Sequence, residues 1–384
     1  MHLTSDEEKA LNGEYGEALA TAYRILLAIG KATEAEKLMP IKWAHISGVN
    51  YNTIGDSGLE FLEKLSSDGK VVVKTTINPM GFDPVKVNSL NVKDDFIRKQ
   101  NRIVSAYERI GVTKSFTCIP YEVFDLPSKG SDVSFAESNA AVYANSVLGL
   151  KTNKESGLSA LASALTGKTP YSELRIEEFR KPSRCIKVKN GLDNELDYGL
   201  LGYFAGKVAK DVVAFSGIDD LSKRGAKALS AAMGTSGSCG MFTFSKNETE
   251  TIEFGKEESR KVMEELNSSE KGDMITLGSP QLGVDDLASL ANMVEGKKFK
   301  KRCLIFCARA AYESARKLGH TQTIEKAGGE LLCDCCTCLT PLIDRNQFDS
   351  IITNSIKGAY YLNGSNKVNV CLKSLKDIVR EECK

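Results

Sequence analysis

The chain has 384 residues, of which 42% are hydrophobic and 26% are charged, and its formal net charge is only +1. This length and composition are those of a soluble globular protein with two or three domains, and the balanced charge argues against a nucleic-acid-binding polyelectrolyte. The N-terminus begins with a helix-capping sequence, Ser5 to Glu8, in place of a basic signal region, and no apolar run is long enough to span a bilayer. We therefore expect a cytoplasmic protein.

The first hundred residues alternate between helical and polar, glycine-punctuated segments. The spacing of apolar residues from Leu19 to Leu27 predicts an amphipathic helix. Ala44 to Asn52 and Ile54 to Gly58 have the composition of loops, which often hold function. The β-branched run Lys70 to Thr75 predicts a buried strand, and Asn78 lies in the polar loop that follows it.

Cys118 lies in a segment that we predict to end a strand, because Pro120 cannot extend a strand ladder. A helix is then predicted from about residue 137, with Glu137, Ser138 and Asn145 together beside its apolar stripe. Lys154 belongs to the polar loop after that helix. Such side chains are usually helix caps or solvated groups, but their position next to this loop favours a ligand site.

The C-terminal hundred residues have the clearest pattern of secondary structure, because short apolar runs alternate with helical patterns. The predicted strands are 274–277, 302–306, 331–332 and 350–352, and the predicted helices between them include 284–294 and 309–318. Alternation of this kind predicts a doubly wound, mostly parallel α/β sheet whose polar or thiol-bearing strand ends meet at one edge. For the whole chain we expect three α/β regions, 1–135, 136–270 and 271–384.

Four of the eleven cysteines, Cys333, Cys335, Cys336 and Cys338, fall within six residues. Thiolates suit zinc, copper(I) or iron–sulfur clusters, whereas a buried cysteine can also be simple packing. Four crowded cysteines rarely close one tetrahedral zinc site, because structural zinc usually takes ligands from two separated segments. Cysteines contributed by several loops, as in an iron–sulfur cluster, fit the pattern better. Three histidines exclude a multi-histidine site, and no dinucleotide, P-loop or HExxH motif is present.

Seven motifs are distributed along nearly the whole chain: HISGVNYNTIGDSGLEF (His45–Phe61), TTINPMG (Thr75–Gly81), TCIPYE (Thr117–Glu122), ESNAAVYANSVLGLKTNKESG (Glu137–Gly157), TGKTP (Thr166–Pro170), the cysteine segment and TNSIKGAYYLNG (Thr353–Gly364). In these motifs the chain resembles the large, catalytic component of the aconitase X family. The resemblance implies aconitase-like layered α/β/α sheets without the swivelling domain. It also implies an iron–sulfur cluster of the 4Fe-4S type held by three cysteines.

The resemblance further implies a hydro-lyase. In bacterial relatives the swivelling domain is fused and the reaction is dehydration of cis-3-hydroxy-L-proline. In archaeal relatives that domain is a separate small subunit, and the pair converts (R)-5-phosphomevalonate to trans-anhydromevalonate 5-phosphate in a modified mevalonate pathway. The sequences ISGVNY and TIG resemble those of the archaeal form, so a heterodimer with a small subunit is expected. The alternatives are a hydroxyproline or other hydroxy-acid dehydratase and, outside enzymes, a metal-binding or redox-sensing protein.

By resemblance, Cys118 and Cys336 match cluster ligands of the family. Many relatives carry another cysteine in a GCPH-like motif, but here that motif reads Gly278-Ser279-Pro280-Gln281. We expect Cys307 to be the third ligand because it ends the neighbouring strand, whereas Cys303 would point to the other side of a regular strand. The remaining thiols of the cysteine segment are alternates or bystanders.

The resemblance implies that an open iron position polarises the substrate hydroxyl while a base removes a proton. The residues expected to take part are Glu137 and Ser138 in catalysis, with Asn78, Asn145 and Lys154 in substrate contact. In aconitase-like enzymes a serine of the swivelling domain removes the proton, so the base is expected from the partner, with Glu137 as the local alternative. The chain alone is then expected to be inactive.

Overall fold

The computed structural model describes residues 1–218, 220–244 and 251–384, and it arranges them as three layers of parallel sheet with helices packed on them. In the described ranges, no helix combines the length and hydropathy needed to cross a bilayer. The three layers are described in chain order.

The first layer contains a three-stranded parallel sheet and a short antiparallel pair. Its strands are β1 (Leu38–Pro40), β2 (Trp43–Ile46), β3 (Lys74–Ile77), β4 (Ser134–Phe135) and β5 (Lys168–Pro170). The parallel sheet has the order β3-β2-β4, and β1 pairs with β5. The helices of this part of the chain are α1 (Ser5–Leu11), α2 (Glu17–Ala32), α3 (Tyr51–Leu65), α4 (Asp94–Arg109), α5 (Pro120–Val123), α6 (Ser138–Ser146) and α7 (Gly157–Thr166).

The second layer is a four-stranded parallel sheet of order β8-β7-β6-β9. Its strands are β6 (Arg184–Val188), β7 (Val212–Ser216), β8 (Met241–Phe244) and β9 (Thr251–Phe254), and its helices are α8 (Glu195–Val208), α9 (Lys223–Ser236) and α10 (Lys256–Leu266). Helix α9 packs against α6, and at Gly234 a Cβ atom would lie 2.9 Å from the backbone carbonyl of Ser138. Glycine there lets α9 approach the start of α6 closely, which ties this layer to the first.

The third layer is a five-stranded parallel sheet of order β12-β11-β10-β13-β14. Its strands are β10 (Met274–Leu282), β11 (Cys303–Cys307), β12 (Gly329–Cys333), β13 (Ser350–Thr353) and β14 (Asn369–Leu372). Its helices are α11 (Val284–Val294), α12 (Arg309–Lys317), α13 (His320–Lys326), α14 (Ile356–Tyr361) and α15 (Leu375–Glu382). Apolar side chains on both faces of this sheet are buried, as expected for a doubly wound sheet.

The predicted α/β class with mostly parallel sheets is confirmed, and the rhythm of the third layer matches the sequence pattern closely. Four local predictions were wrong. The strand predicted at Lys70 to Thr75 begins only at Lys74, as β3, and extends to Ile77. Residues 44–46 belong to the buried strand β2, and Ile54 to Gly58 lie inside α3, where Gly55 introduces a kink. Cys118 does not end a strand, because it lies in an irregular segment that leads into the short helix α5.

Candidate active site

A cavity of about 290 Å³ lies where the carboxyl ends of β2, β3 and β4 meet the loop after β12 and the first turn of α14. The three strands contribute residues 47–50, 78–80 and 136–138 to its wall. Carboxyl ends of parallel strands are the usual ligand-binding edge of α/β sheets. The opposite wall is formed by Cys118, Cys336, Cys338, Lys357 and Tyr361.

A smaller cavity of about 80 Å³ is lined by Ser279 and shares Lys357 with this wall. Its other buried cation, Lys227, is already paired with Glu122 at 3.1 Å and with Asp286 at 2.7 Å. The wall of this second cavity is mainly apolar, and it contains no cysteine among the described residues. The larger cavity is therefore the better candidate for chemistry.

Three thiols meet in the larger cavity. Cys118 and Cys336 are within hydrogen-bonding distance of each other although 218 positions separate them, and Cys336 is in turn hydrogen-bonded to Cys338. Burial raises the pKa of Cys118 well above its usual value, whereas a hydrogen bond with Cys336 and the positive charge of Lys357 lower the pKa of Cys338. The loops of two different layers thus deliver soft ligand atoms to one place.

Gln281, which is fully buried, fastens the two cysteine loops to β10. Its backbone N–H donates to the Cys118 sulfur at 3.2 Å, and its side-chain oxygen accepts from the Cys118 N–H at 3.3 Å. Its side-chain amide donates to the carbonyls of Phe116 at 3.1 Å and Cys335 at 2.9 Å. Hydrogen bonds to ligating sulfur atoms are a common way of orienting and tuning such groups.

The backbone at Gly278 allows β10 to bend beside these thiols. Gly278 has φ +102°, and a Cβ atom there would lie 2.1 Å from the carbonyl oxygen of Phe306 on β11. Only glycine fits such a conformation and such a close approach. The bend is followed by the cis peptide bond between Ser279 and Pro280, and the Ser279 hydroxyl lies 3.1 Å from the Cys338 sulfur.

A buried ion pair between Glu137 and Lys357 forms the polar part of the cavity wall, and each side chain is 8% exposed. Burial alone would raise the pKa of Glu137, but the Lys357 charge and hydrogen bonds from Lys357 and Asn78 hold that pKa below its usual value. The same pairing raises the pKa of Lys357 although burial opposes this. Both groups are therefore charged at neutral pH.

A one-way chain of hydrogen bonds supports Glu137 from behind. Trp43 Nε1–H donates to the Thr76 hydroxyl at 3.0 Å, Thr76 lies 2.8 Å from His45 Nδ1, and His45 Nε2 lies 2.8 Å from Asn78 Oδ1. The Asn78 amide then donates to Glu137 Oε2 at 2.6 Å.

The direction of this chain fixes the histidine tautomer. Asn78 donates to a carboxylate, so its oxygen must accept from His45 Nε2–H, and neutral His45 must accept from Thr76 at Nδ1. Complete burial lowers the pKa of His45 to about 4, which keeps the ring neutral. The first sheet therefore presents Asn78 and Glu137 to the cavity in one defined orientation.

The structure brings five of the eight predicted site residues together: Cys118, Cys336, Glu137, Ser138 and Asn78 all line the cavity. Asn145 does not reach it, because its amide donates to the carbonyls of Thr152 and Gly240. Lys154 donates instead to the carbonyls of Gly234 and Gly237, and burial lowers its pKa.

Cys307 also lies away from the cavity wall. It is fully buried at the end of β11, with its sulfur 3.8 Å from that of Cys333 on the neighbouring strand and 3.7 Å from the Leu332 carbonyl.

Two residues that the sequence reasoning did not single out, Lys357 and Tyr361, complete the wall. Both belong to the quoted segment TNSIKGAYYLNG, which was the available signal, but a lysine is normally exposed and nothing local indicates that its partner is Glu137. The loop residues Gly48 and Asn50 were likewise covered only by a motif. A contact between residues 137 and 357 cannot be inferred from periodicity.

Sequence models of three domains match this chain: the aconitase X first domain over residues 1–178, the second over 182–274 and the third over 272–384. The chain therefore belongs to the aconitase X family.

Among characterised relatives, it is 38% identical over 405 residues to the phosphomevalonate dehydratase large subunit of Methanocaldococcus jannaschii, covering 99% of this chain and 100% of the relative. It is also 34% identical over 391 residues to the cis-3-hydroxy-L-proline dehydratase of Hypocrea jecorina, covering 94% of this chain but 65% of that relative. A solved structure, that of Thermococcus kodakaraensis aconitase X in its holo-form, superposes with a TM-score of 0.92 at 34% identity and covers both chains completely.

Proposed function

We propose that this chain is the large subunit of a hydro-lyase that removes water from (R)-5-phosphomevalonate to give trans-anhydromevalonate 5-phosphate. The observation that carries the proposal is the cavity itself, in which two distant cysteines face a buried, charged Glu137–Lys357 pair. The full-length match to relatives named as phosphomevalonate dehydratase large subunits supports the substrate.

The donor set of the cavity fits an iron–sulfur cluster. Its thiols are soft ligands, and the Gln281 N–H that donates to Cys118 would stabilise a thiolate there. Within the described ranges, no three histidine, cysteine or acidic side chains converge as a single metal ion would require. A cluster does not require its protein ligands to converge on one point, because each cysteine binds a different iron atom. Cys118 and Cys336 would hold the cluster, which when bound supplies a Lewis acid for a departing hydroxyl group.

The charged pair would hold and orient the substrate. Lys357 is the one cationic side chain among the described residues that line the cavity, and it is placed to meet the substrate carboxylate. Glu137, kept ionised, would accept hydrogen bonds from a substrate hydroxyl, and Asn78 and Ser138 lie beside it. A carboxylate whose pKa is lowered is a weak base, so Glu137 is better suited to positioning than to abstracting a carbon-bound proton.

We therefore assign the proton-abstracting base to a small partner subunit. The large-subunit naming of the relatives supports a two-chain enzyme. Because the cavity opens at the edge of the sheets, a second chain can cover it and exclude water from the reaction.

Dehydration of cis-3-hydroxy-L-proline is the second candidate, and it is favoured only by the relatives of that name. Those proteins are longer, since this chain covers 65% and 66% of their length. The relatives named for phosphomevalonate are covered over 92% to 100% of theirs. The first candidate is thus the better match.

The test is to purify the chain anaerobically with its small subunit and to supply either substrate. We expect loss of water from phosphomevalonate, followed by mass spectrometry of the product, and no conversion of cis-3-hydroxy-L-proline. Lys357→Met should abolish turnover, whereas the control Lys373→Met, which is not part of the cavity wall and is paired with Glu381, should not change it. Conversion of hydroxyproline alone would replace the first candidate by the second.

A further inference from the structure

The identity of the third cluster ligand is open, because Cys307 is buried away from the cavity and the loop at 278–281 offers a serine in place of a thiol. Of the eleven cysteines, nine are buried, and Cys336 and Cys338 are the two with intermediate exposure. Both of them line the cavity together with Cys118. The exposed part of each of these two side chains therefore faces the cavity.

The turn that follows β12 explains why both thiols face the same way. Cys336 and Cys338 are two positions apart, and the bend and turn at residues 337–339 bring their side chains within hydrogen-bonding distance of each other. The non-glycine residues that flank this turn, Asp334 and Leu339, have left-handed backbone angles of φ 63° and φ 62°. Arg309, which donates to Asp334 at 2.6 Å, holds the beginning of the turn.

The surroundings of Cys338 suit a sulfur ligand. Its sulfur lies 3.1 Å from the Ser279 hydroxyl, and Cys338 lines the same cavity as Cys336 and Lys357. The Ser279 oxygen is itself a hard ligand and a poor match for an iron–sulfur cluster, but as a hydrogen-bond donor it can orient a sulfur ligand.

We propose that Cys338 is the third protein ligand of the cluster, with Cys118 and Cys336, and that Ser279 supports it as a hydrogen-bond partner. This inference rests on the proposed function insofar as that function requires a cluster. It replaces the predicted role of Cys307 by a residue that shares the cavity with the other two thiols.

The test compares iron and sulfide content after anaerobic reconstitution of the full chain, with the absorbance and EPR spectra of the cluster. Cys338→Ser should lower iron affinity by at least about tenfold, since removing even a group next to a ligand costs that much. The matched control Cys307→Ser should keep the wild-type content and spectrum. The double variant Cys338→Ser with Ser279→Cys should recover cluster binding. It places a thiol at residue 279, whose side chain contacts the Cys338 sulfur in the wild-type protein.

Thiol mapping of the wild-type protein removes any dependence on how the variants fold. In the reconstituted protein, Cys118, Cys336 and Cys338 should resist alkylation, and all three should become reactive when iron is chelated. If Cys338 is alkylated while the cluster spectrum persists, or if Cys307→Ser loses iron and Cys338→Ser does not, the assignment is wrong. A cluster held through Cys338 in an enzyme that dehydrates no phosphomevalonate would contradict the proposed function alone.

Discussion

At the scale of single residues, the site depends on buried or half-buried polar groups that are hydrogen-bonded to one another. In the series of hydrogen bonds that runs from Trp43 through Thr76, His45 and Asn78, each side chain donates to the next. The series ends at Glu137, which accepts from Asn78. Sequence patterns gave Glu137 and Asn78 as candidates but placed His45 in a loop, because the segment from Ala44 to Asn52 is polar and punctuated by glycine. In the structure, hydrogen bonds to both ring nitrogens offset the cost of burying the His45 side chain.

The neutral state of His45 predicts a pH dependence of stability. Its pKa is about 4 in the folded protein against 6.5 for an ordinary histidine, so between these values the unfolded chain binds more protons. Stability should therefore fall as the pH falls. Between pH 7 and pH 5 we expect wild type to lose about 2 kcal/mol of unfolding free energy relative to His45→Gln.

Urea unfolding of the two proteins at both pH values measures this difference, because contributions from other groups cancel. Equal losses in the two proteins would show that His45 is protonated in the native state, contrary to the tautomer that its hydrogen bonds define.

Gln281 gives a second prediction at this scale. Gln281→Leu removes three side-chain hydrogen bonds and leaves the Phe116 and Cys335 carbonyls and the Cys118 N–H buried without that partner. At about 1 to 3 kcal/mol for each unsatisfied group, we expect a loss of more than about 3 kcal/mol in urea unfolding and a lower iron content. The control Gln322→Leu, at an exposed position, should stay within about 0.5 kcal/mol of wild type. A small effect at Gln281 would mean that the cysteine loops are held by other contacts.

At the scale of secondary-structure elements, the third layer was the most predictable part of the chain. Its strands are short apolar runs separated by amphipathic helices, and α11 was predicted with its observed ends. Predictions failed where polar residues are buried, in β2, or where a glycine lies inside a helix, in α3. Strand β3 begins four residues later than the predicted start at Lys70, because its position is set by pairing with β2.

The bend in β10 can be tested through its glycine. In Gly278→Ala the new methyl group would collide with the Phe306 carbonyl, and the left-handed angle adds strain, so β10 and β11 must separate. We expect a loss of at least about 3 kcal/mol in stability, or failure to fold. Gly296→Ala is the matched control, since it also has a positive φ but no atom within 4 Å of the new Cβ, and it should cost about 1 kcal/mol. If both substitutions cost the same free energy of unfolding, the loss at Gly278 would come from its backbone angle and not from the close approach of β10 and β11.

At the scale of the whole molecule, the cavity is a product of long-range assembly. Cys118 comes from the first layer, Cys336 and Cys338 from the third, and the second layer supports Ser138 through the close contact at Gly234. Sequence reasoning could propose that distant thiols meet at a sheet edge, but it could not distinguish Cys307 from Cys338. Cys307 ends β11 and Cys338 lies in the turn after β12, so both are near the carboxyl ends of neighbouring strands, and only the cavity wall includes one and not the other.

The same arrangement predicts that the large subunit is not sufficient for turnover. Loaded with its cluster but without the small subunit, it should dehydrate phosphomevalonate at least about a hundredfold more slowly than the complex, because the general base is missing. Titrating the small subunit into a fixed amount of the large subunit measures this, and activity should saturate at one partner per chain. Full activity of the large subunit alone would instead assign the base to this chain, with Glu137 as the candidate.

The most direct measurement is an anomalous-difference map at the iron absorption edge from crystals of the anaerobically prepared protein. We predict a peak inside the cavity, bounded by the sulfur atoms of Cys118, Cys336 and Cys338 and adjacent to Lys357. A peak beside Cys307 and Cys333, or iron bound outside this cavity, would contradict the placement of the active site.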